Sequence, residues 1–475
     1  MNKFLKIIVY MPLFVFSACM VGPDFEKPEY KVSDNWKASD VSQSLSDNRQ
    51  NLTVKDLADW WKLFGDEDLT QLIEQAIKNN FDLQTVRARL EQAQASLGVV
   101  KSGFWPSLDV NASYRERAGT PLDAASVDRY GAGATAAWEI DIFGGIRRSI
   151  ESSEEDYKAA LADTVATRIK VAAEVAQAYF KYRAYQIQLR ITKDNLQTQK
   201  KTYEITKARK KNGFVSQLDV VQASAEVSST NAQLPEFEKN KRLALHALEL
   251  LVGVPSGSLK EKLATEKSLP KLESFVPVGV PAELLARRPD VIMAEHKIHS
   301  AVASIGVAKA DLYPKFSITG TISFDSPKAG KILNNPYGSW SVGPTATWNI
   351  FQAGRTISNI KLREAVAKEA KISWQSTVFV AIKEVEDALV SAAKERERIE
   401  LINTLVSDNQ KAFDLSKKLY SAGEIEFLDL LVSQRALLNS QQSQVASRMQ
   451  FVNYVVALYK SLGGGWQSDT AIQAN

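Results

Sequence analysis

Cysteine is almost absent from this 475-residue chain. Its single residue, Cys19, excludes a disulfide framework, a cysteine-rich zinc site and an iron–sulfur cluster. Three histidines leave little material for metal or acid–base chemistry, so an enzyme is not expected. Glycine (23) and proline (15) fall below the ~7% and ~5% of average chains, which excludes collagen-like, low-complexity and loop-dominated organisations. Neither sign of charge prevails: 59 basic and 55 acidic residues give +4, without the basic stripe that nucleic-acid binding requires. No GxxxxGK[ST] motif is present, so any energy source lies in a partner. What is abundant is hydrophobic material, 45% of the chain, enough for a large core in about three domains' worth of length.

Residues 1–18 read as a lipoprotein signal peptide. Lys3 and Lys6 supply the positive start, and Ile7–Phe16 form an apolar stretch too short to span a bilayer. Phe16-Ser17-Ala18-Cys19 resembles a lipobox, in which Cys19 is lipidated and becomes the new N-terminus. Removing 1–18 takes two lysines and no acidic residue, leaving a mature charge of +2. Met20 stands where an aspartate would direct inner-membrane retention, so the outer membrane is expected.

The remainder is two copies of one unit. Ala95-Ser96-Leu97-Gly98-Val99-Val100-Lys101 returns 208 residues later as Ala303-Ser304-Ile305-Gly306-Val307-Ala308-Lys309. Beyond the strands the offset becomes 210: Gly213 matches Gly423, Leu218-Asp219 matches Leu428-Asp429, and Gly253 matches Gly463. The expected layout is an N-terminal lipid-anchored segment 19–65, repeat 1 over 66–253, a Pro- and Gly-richer linker over 254–289, repeat 2 over 290–463 and a tail 464–475.

Each repeat holds two strictly alternating strands, at about 106–114 and 131–143, then 315–325 and 340–351. One phase is apolar and carries Trp and Tyr near its ends; the other is polar. Nine or ten residues per strand suffice for a tilted crossing of a bilayer. Four strands close no barrel, and an open edge in lipid leaves backbone groups unpaired, so copies must combine: two give eight strands, three give twelve. Each strand pair feeds a helical hairpin, with helices at about 145–211 and 217–252, then 355–421 and 424–462. Leu161, Val165, Ile169, Ala172, Val175 and Tyr179 form a coiled-coil seam along the first. At ~1.5 Å per residue that helix approaches 100 Å. Gly213 and Gly423 mark the hairpin turns.

Several motifs stand in order along the chain: Val21-Gly22-Pro23-Asp24-Phe25, Trp60-Trp61-Lys62-Leu63-Phe64-Gly65-Asp66, Asn80-Phe81-Asp82-Leu83, Arg287-Arg288-Pro289-Asp290-Val291, Gln434-Arg435-Ala436-Leu437-Leu438, and Ala457 to Trp466. With the duplication, they resemble the TolC-type outer-membrane efflux channels, in their OprM-like lipoprotein branch, over essentially the whole chain. The resemblance implies a mainly α protein with a membrane β-barrel. Its homotrimer would form a twelve-stranded barrel continued by a periplasmic α-helical barrel, with an equatorial region from the N-terminal, linker and C-terminal segments. The implied partners are a periplasmic adaptor, an inner-membrane RND-type pump and outer-membrane lipid. The implied role is passive conduction of drugs or other small toxic compounds in a tripartite efflux pump. A duct for type I protein secretion and a non-channel scaffold are the alternatives. No cofactor is expected beyond the lipid on Cys19.

Site residues follow from these readings. The polar strand phase, Ser107, Asp109, Asn111, Glu139, Asp141, Ser317, Thr319, Thr345 and Asn349, is expected to line the barrel lumen. By resemblance, Gly213, Phe214, Val215, Ser216, Gly423 and Glu424 form the turns that meet the adaptor. A Tyr420–Asp219 contact, with Leu428, Val432 and Arg435 on the returning helix, closes the periplasmic tip. The OprM-like pattern has an aspartate where this chain has Val432, which instead suits a hydrophobic constriction. His296 and His299 are read as surface residues, Trp60-Trp61 as an anchor, and Glu151, Glu154, Glu155 and Asp156 as complements to a helix dipole.

Overall fold

The computed structural model describes residues 20–29, 58–117, 127–270, 287–332 and 338–466; the signal segment and Cys19 lie outside the described residues. The elements in order are α1 (Glu67–Asn79), α2 (Phe81–Ser102), β1 (Ser107–Arg117), β2 (Val127–Ile140), α3 (Gly145–Lys211), α4 (Gln217–Val252), α5 (Pro289–Ala310), β3 (Lys315–Ser326), β4 (Gly338–Thr347), α6 (Arg355–Ala422) and α7 (Phe427–Ser461). The chain divides into two compact units. One is built from 1–29, 89–161 and 293–375, the other from 30–88, 162–292 and 376–475.

The first unit contains one antiparallel sheet in the order β1-β2-β3-β4. Its register sets Val110 opposite Ala134, Ala134 opposite Ile322, and Ile322 opposite Trp340. The same register aligns Asp109, Thr135, Thr321 and Ser341 one residue away, on the opposite face. Neither face is covered: Val110 is 80% exposed on one, and Asp109 and Ser341 are exposed on the other. Among the described residues, β1 and β4 each have one unpaired edge.

β1 runs on to Arg117 and β2 begins at Val127, beyond the expected 114 and 131, while two other strand ends fall short. β2 stops at Ile140 because the chain turns there, with the Ile142 amide donating to the Ile140 carbonyl at 2.9 Å. Asp141 therefore leaves the strand phase. Its carboxylate accepts from the Ile146 and Arg147 amides at 3.0 and 2.9 Å and from Arg147 Nε at 3.0 Å, holding the first turn of α3. β4 stops at Thr347, so Asn349 also lies beyond the strand. Repeat symmetry persists across these junctions. Trp138 Nε1 donates to the Phe104 carbonyl and Trp348 Nε1 to that of Leu312, both at 3.0 Å.

The acidic residues of α3 are a further correction. The first turn of α3 holds no acid; Glu151–Asp156 lie in the turns beyond it, past the reach of the dipole. Glu151 instead takes Arg148 at 2.8 Å and His299 at 2.9 Å, Glu154 takes Lys101, and Glu155 takes Lys158 and His296. The histidines are thus half-buried hydrogen-bond partners of these glutamates rather than free surface groups. Across this cluster runs the N-terminal segment: Asp24 meets Arg148 at 2.6 Å, Phe25 stacks on His299 at 4.4 Å, and Lys27 meets Glu295. Gly22 lets it pass, since a Cβ there would stand 2.5 Å from the Gly306 Cα.

The second unit is helical around one large apolar cluster. The seam residues Ala172, Val175 and Tyr179 are buried in it, as are Trp60, Trp61 and Phe64, with Trp60 stacked on Tyr459 at 5.5 Å; Ile169 is buried as well. The linker's described part joins that core through Leu259, Leu263 and Leu269. The duplication recurs as matched hydrogen bonds: Asn80 Nδ2 donates to the Leu251 carbonyl and Arg288, 208 residues on, to that of Ser461, both at 2.8 Å.

Candidate functional site

Two regions carry the expected site residues, and a third accounts for a motif. The first is the polar face of the sheet. The register puts Ser107, Asp109, Asn111, Glu139, Ser317, Thr319 and Thr345 on one side, with Asp141 and Asn349 outside it. Hydroxyl rungs that the sequence reading did not single out as site residues complete this face: Thr321 with Ser341 at 2.7 Å and Ser323 with Ser339 at 2.8 Å. They follow the same alternation, so the signal for them was already present. Such a surface offers water-like hydrogen bonding and a few charges.

The second region is the pair of hairpin ends in the helical unit. Both long helices finish the same way. Gly213 (φ 79°) and Gly423 (φ 87°) adopt the left-handed conformation, and paired amide bonds close back onto the helix: Gly213 to Lys210 and Phe214 to Arg209, then Gly423 to Tyr420 and Glu424 to Leu419. Ser216 caps α4 in a capping box with Asp219, whose carboxylate accepts from the Ser216 amide and hydroxyl at 2.8 Å. Phe214 and Glu424 are exposed, while Val215 is half-buried.

Within the chain, the expected Tyr420–Asp219 contact is not made. Tyr420 is buried beside Phe427 and Leu430, its hydroxyl 3.0 Å from Thr206 Oγ1, its carbonyl accepting from Arg209 and its ring under the Arg209 guanidinium at 4.8 Å. Asp219 is committed to its cap instead. Arg435 has a different acid as partner, Glu226, at 2.7 Å from Nε. Thr206, Arg209 and Glu226 are the residues that sequence reasoning missed, because contacts between hairpins leave no periodic trace. Leu428, Val432 and Arg435 follow one another at i, i+4 and i+7, so they share a face of α7. That face is exposed, at 53%, 60% and 56%, with Arg435 reaching from it to Glu226.

The third region explains the end of the Trp60–Asp66 motif structurally. Asp66 caps α1, accepts from the Tyr179 hydroxyl at 2.5 Å and meets Lys267 at 3.2 Å. Burial alone raises the Asp66 pKa, but the bonds from Tyr179 and Lys267 outweigh it and hold the carboxyl below its usual value. The buried Arg183 extends the network to Asp68 and to the linker carbonyls of Leu263 and Thr265. Among the described residues, no group of three or more His, Cys, Asp or Glu side chains is arranged to hold a metal ion. No described helix is long and apolar enough to cross a membrane.

Comparison with known proteins agrees with the resemblance. Residues 72–254 and 280–464 match the profile of the outer membrane efflux protein family. Nodulation protein T of Rhizobium leguminosarum bv. viciae is 30% identical over 471 residues, covering 98% of this chain and 94% of its own. The probable efflux pump outer membrane protein TtgC of Pseudomonas putida is 28% identical over 471 residues, covering 97% and 96%. The solved outer-membrane channel OprN is 32% identical, with a TM-score of 0.85 over 94% of this chain and all of that one.

Proposed function

The chain belongs to the outer membrane efflux protein family, and from that premise we propose that it is the outer-membrane channel of a tripartite efflux pump. The observation that carries this reading is the four-stranded sheet with one polar and one apolar face, neither covered and both edges unpaired. An apolar face with Leu108, Val110, Ile322 and Trp340 exposed suits lipid, and its polar reverse suits a water-filled lumen. Unpaired edges suit closure by further copies, for which three chains and twelve strands are the family's number. Cys19 holds the chain to the membrane through a covalent lipid.

At the hairpin ends, the turns at Gly213 and Gly423 meet a periplasmic adaptor linked to an inner-membrane pump. The passage is held shut by the exposed face of Leu428, Val432 and Arg435. Here Val432 supplies a dewetting constriction, and the Tyr420–Thr206 and Arg435–Glu226 contacts keep the ends in place. The channel itself performs no reaction; relatives such as TtgC are named for efflux, not for catalysis.

Single-channel recording in planar bilayers tests the proposal. The assembled protein is expected to give discrete conductance steps, and Tyr420→Phe combined with Arg435→Ala to raise the conductance by weakening the closed state. Absence of conductance from a correctly assembled protein overturns the channel reading. Unchanged conductance in the double variant overturns only the gate.

A further inference from the structure

The two hairpin ends share a backbone but not a surface. Over residues 200–222, repeat 1 carries Lys200, Lys201, Lys207, Arg209, Lys210 and Lys211 against two acids, Glu204 and Asp219. Over the equivalent window 410–432, repeat 2 carries three lysines against four acids, Asp414, Glu424, Glu426 and Asp429. The net charge is +4 at one end and −1 at the other. All five lysines of the first end are exposed. Lys207 lies 5.9 Å from the Tyr203 ring, and Asp219 is already occupied by its cap. Apolar exposure differs in the same direction. Phe214, Leu218 and Val221 are 73%, 63% and 55% exposed, whereas their equivalents are Glu424, Leu428 and a Leu431 that is 4% exposed beside Phe427.

Helix termination does not account for this. Lysines in a last turn complement the helix dipole, but that effect ends within one turn and leaves Lys200 and Lys201 unexplained. α6 finishes with the same glycine geometry and has no basic residue in its last turn. Side chains at i, i+3 and i+4 stand about 5–6 Å apart. That is inside the Debye length of about 8 Å at physiological salt, so Lys207, Lys210 and Lys211 act as one field.

We propose that the end of repeat 1, an exposed Phe214–Leu218–Val221 patch flanked by the Lys200–Lys211 stripe, selects an acidic α-helical hairpin of the adaptor, and that the end of repeat 2 meets the adaptor without that selection for acid. The proposal rests on the channel reading above and adds the chemistry of the partner and the inequality of the two repeats. The apolar patch supplies contact area that a partner turn can cover, and the lysine rim steers encounter and rejects basic partners.

The test uses the assembled full-length protein and two synthetic helical-hairpin peptides, one with glutamates around an apolar turn and one with glutamines in their place. In surface plasmon resonance the glutamate hairpin is expected to bind about tenfold more tightly or better, with an advantage that shrinks as salt is raised. Lys207→Gln, Lys210→Gln and Lys211→Gln together are expected to remove that advantage. Lys411→Gln, Lys417→Gln and Lys418→Gln together are expected to leave it within about twofold. Equal binding of the two hairpins, binding of neither, or equal loss in both triple variants overturns the proposal. Conductance of the parent in planar bilayers is read in parallel. A conducting parent that does not discriminate the hairpins sinks this inference and leaves the channel standing; a non-conducting parent sinks the channel.

Discussion

Asp66 shows how one motif residue serves several purposes. Its side chain is 16% exposed, caps α1, and holds both Tyr179 and Lys267. Because its folded pKa lies below the ordinary 3.8, the unfolded chain binds more protons between the two values, and stability rises with pH there. The contribution is complete above the ordinary value and lost as pH falls through the folded one. Asp66→Asn keeps a capping oxygen but not the charge. It is expected to cost about 1–3 kcal/mol at neutral pH. Thermal unfolding at pH 7 and at low pH checks this: the deficit against the parent shrinks with acidification, and a constant deficit contradicts it. The neighbouring Trp60-Trp61 anchor was legible in the sequence, since two adjacent large aromatics are rarely left in water. The role of Asp66 was not, because its partners Tyr179 and Lys267 are more than a hundred residues away.

At the scale of elements, legibility followed periodicity. Alternation gave the polar and apolar phases of all four strands, and the seam spacing gave the buried face of α3. What periodicity cannot see is competition at an element's end. Asp141 continues the strand alternation, yet the open amides of α3 claim its carboxylate, and the strand stops one residue earlier. The missing Tyr420–Asp219 contact has the same origin: a local capping box satisfied Asp219 before any distant tyrosine could. In the assembled protein, cysteines at Asp109 or Thr319 are expected to react with a water-soluble thiol reagent, and cysteines at Leu108 or Ile318 to be protected by lipid. A cysteine at Asp141 is expected to follow neither set and to loosen α3 instead. Labelling with the opposite phase refutes the assignment of faces.

For the whole molecule, the duplication was the strongest feature of the sequence, and the paired Asn80–Leu251 and Arg288–Ser461 bonds are its structural counterpart. Copy number was beyond reach, since four strands per chain fit a ring of two chains or of three. Native mass spectrometry of the solubilised protein is expected to give three chains; a dimer refutes the proposed twelve strands. Cys19→Ala is expected to abolish metabolic labelling with palmitate, and persistent labelling refutes the lipid anchor. The two open edges of the sheet then set a rule for biogenesis. On the proposed trimer no chain owns a finished membrane segment, so the yield of mature channel depends on encounters among three chains rather than on synthesis of one. Lowering expression should depress the number of working channels more than in proportion. In the meantime each waiting chain carries two adhesive strand edges, open to pairing with the wrong partner.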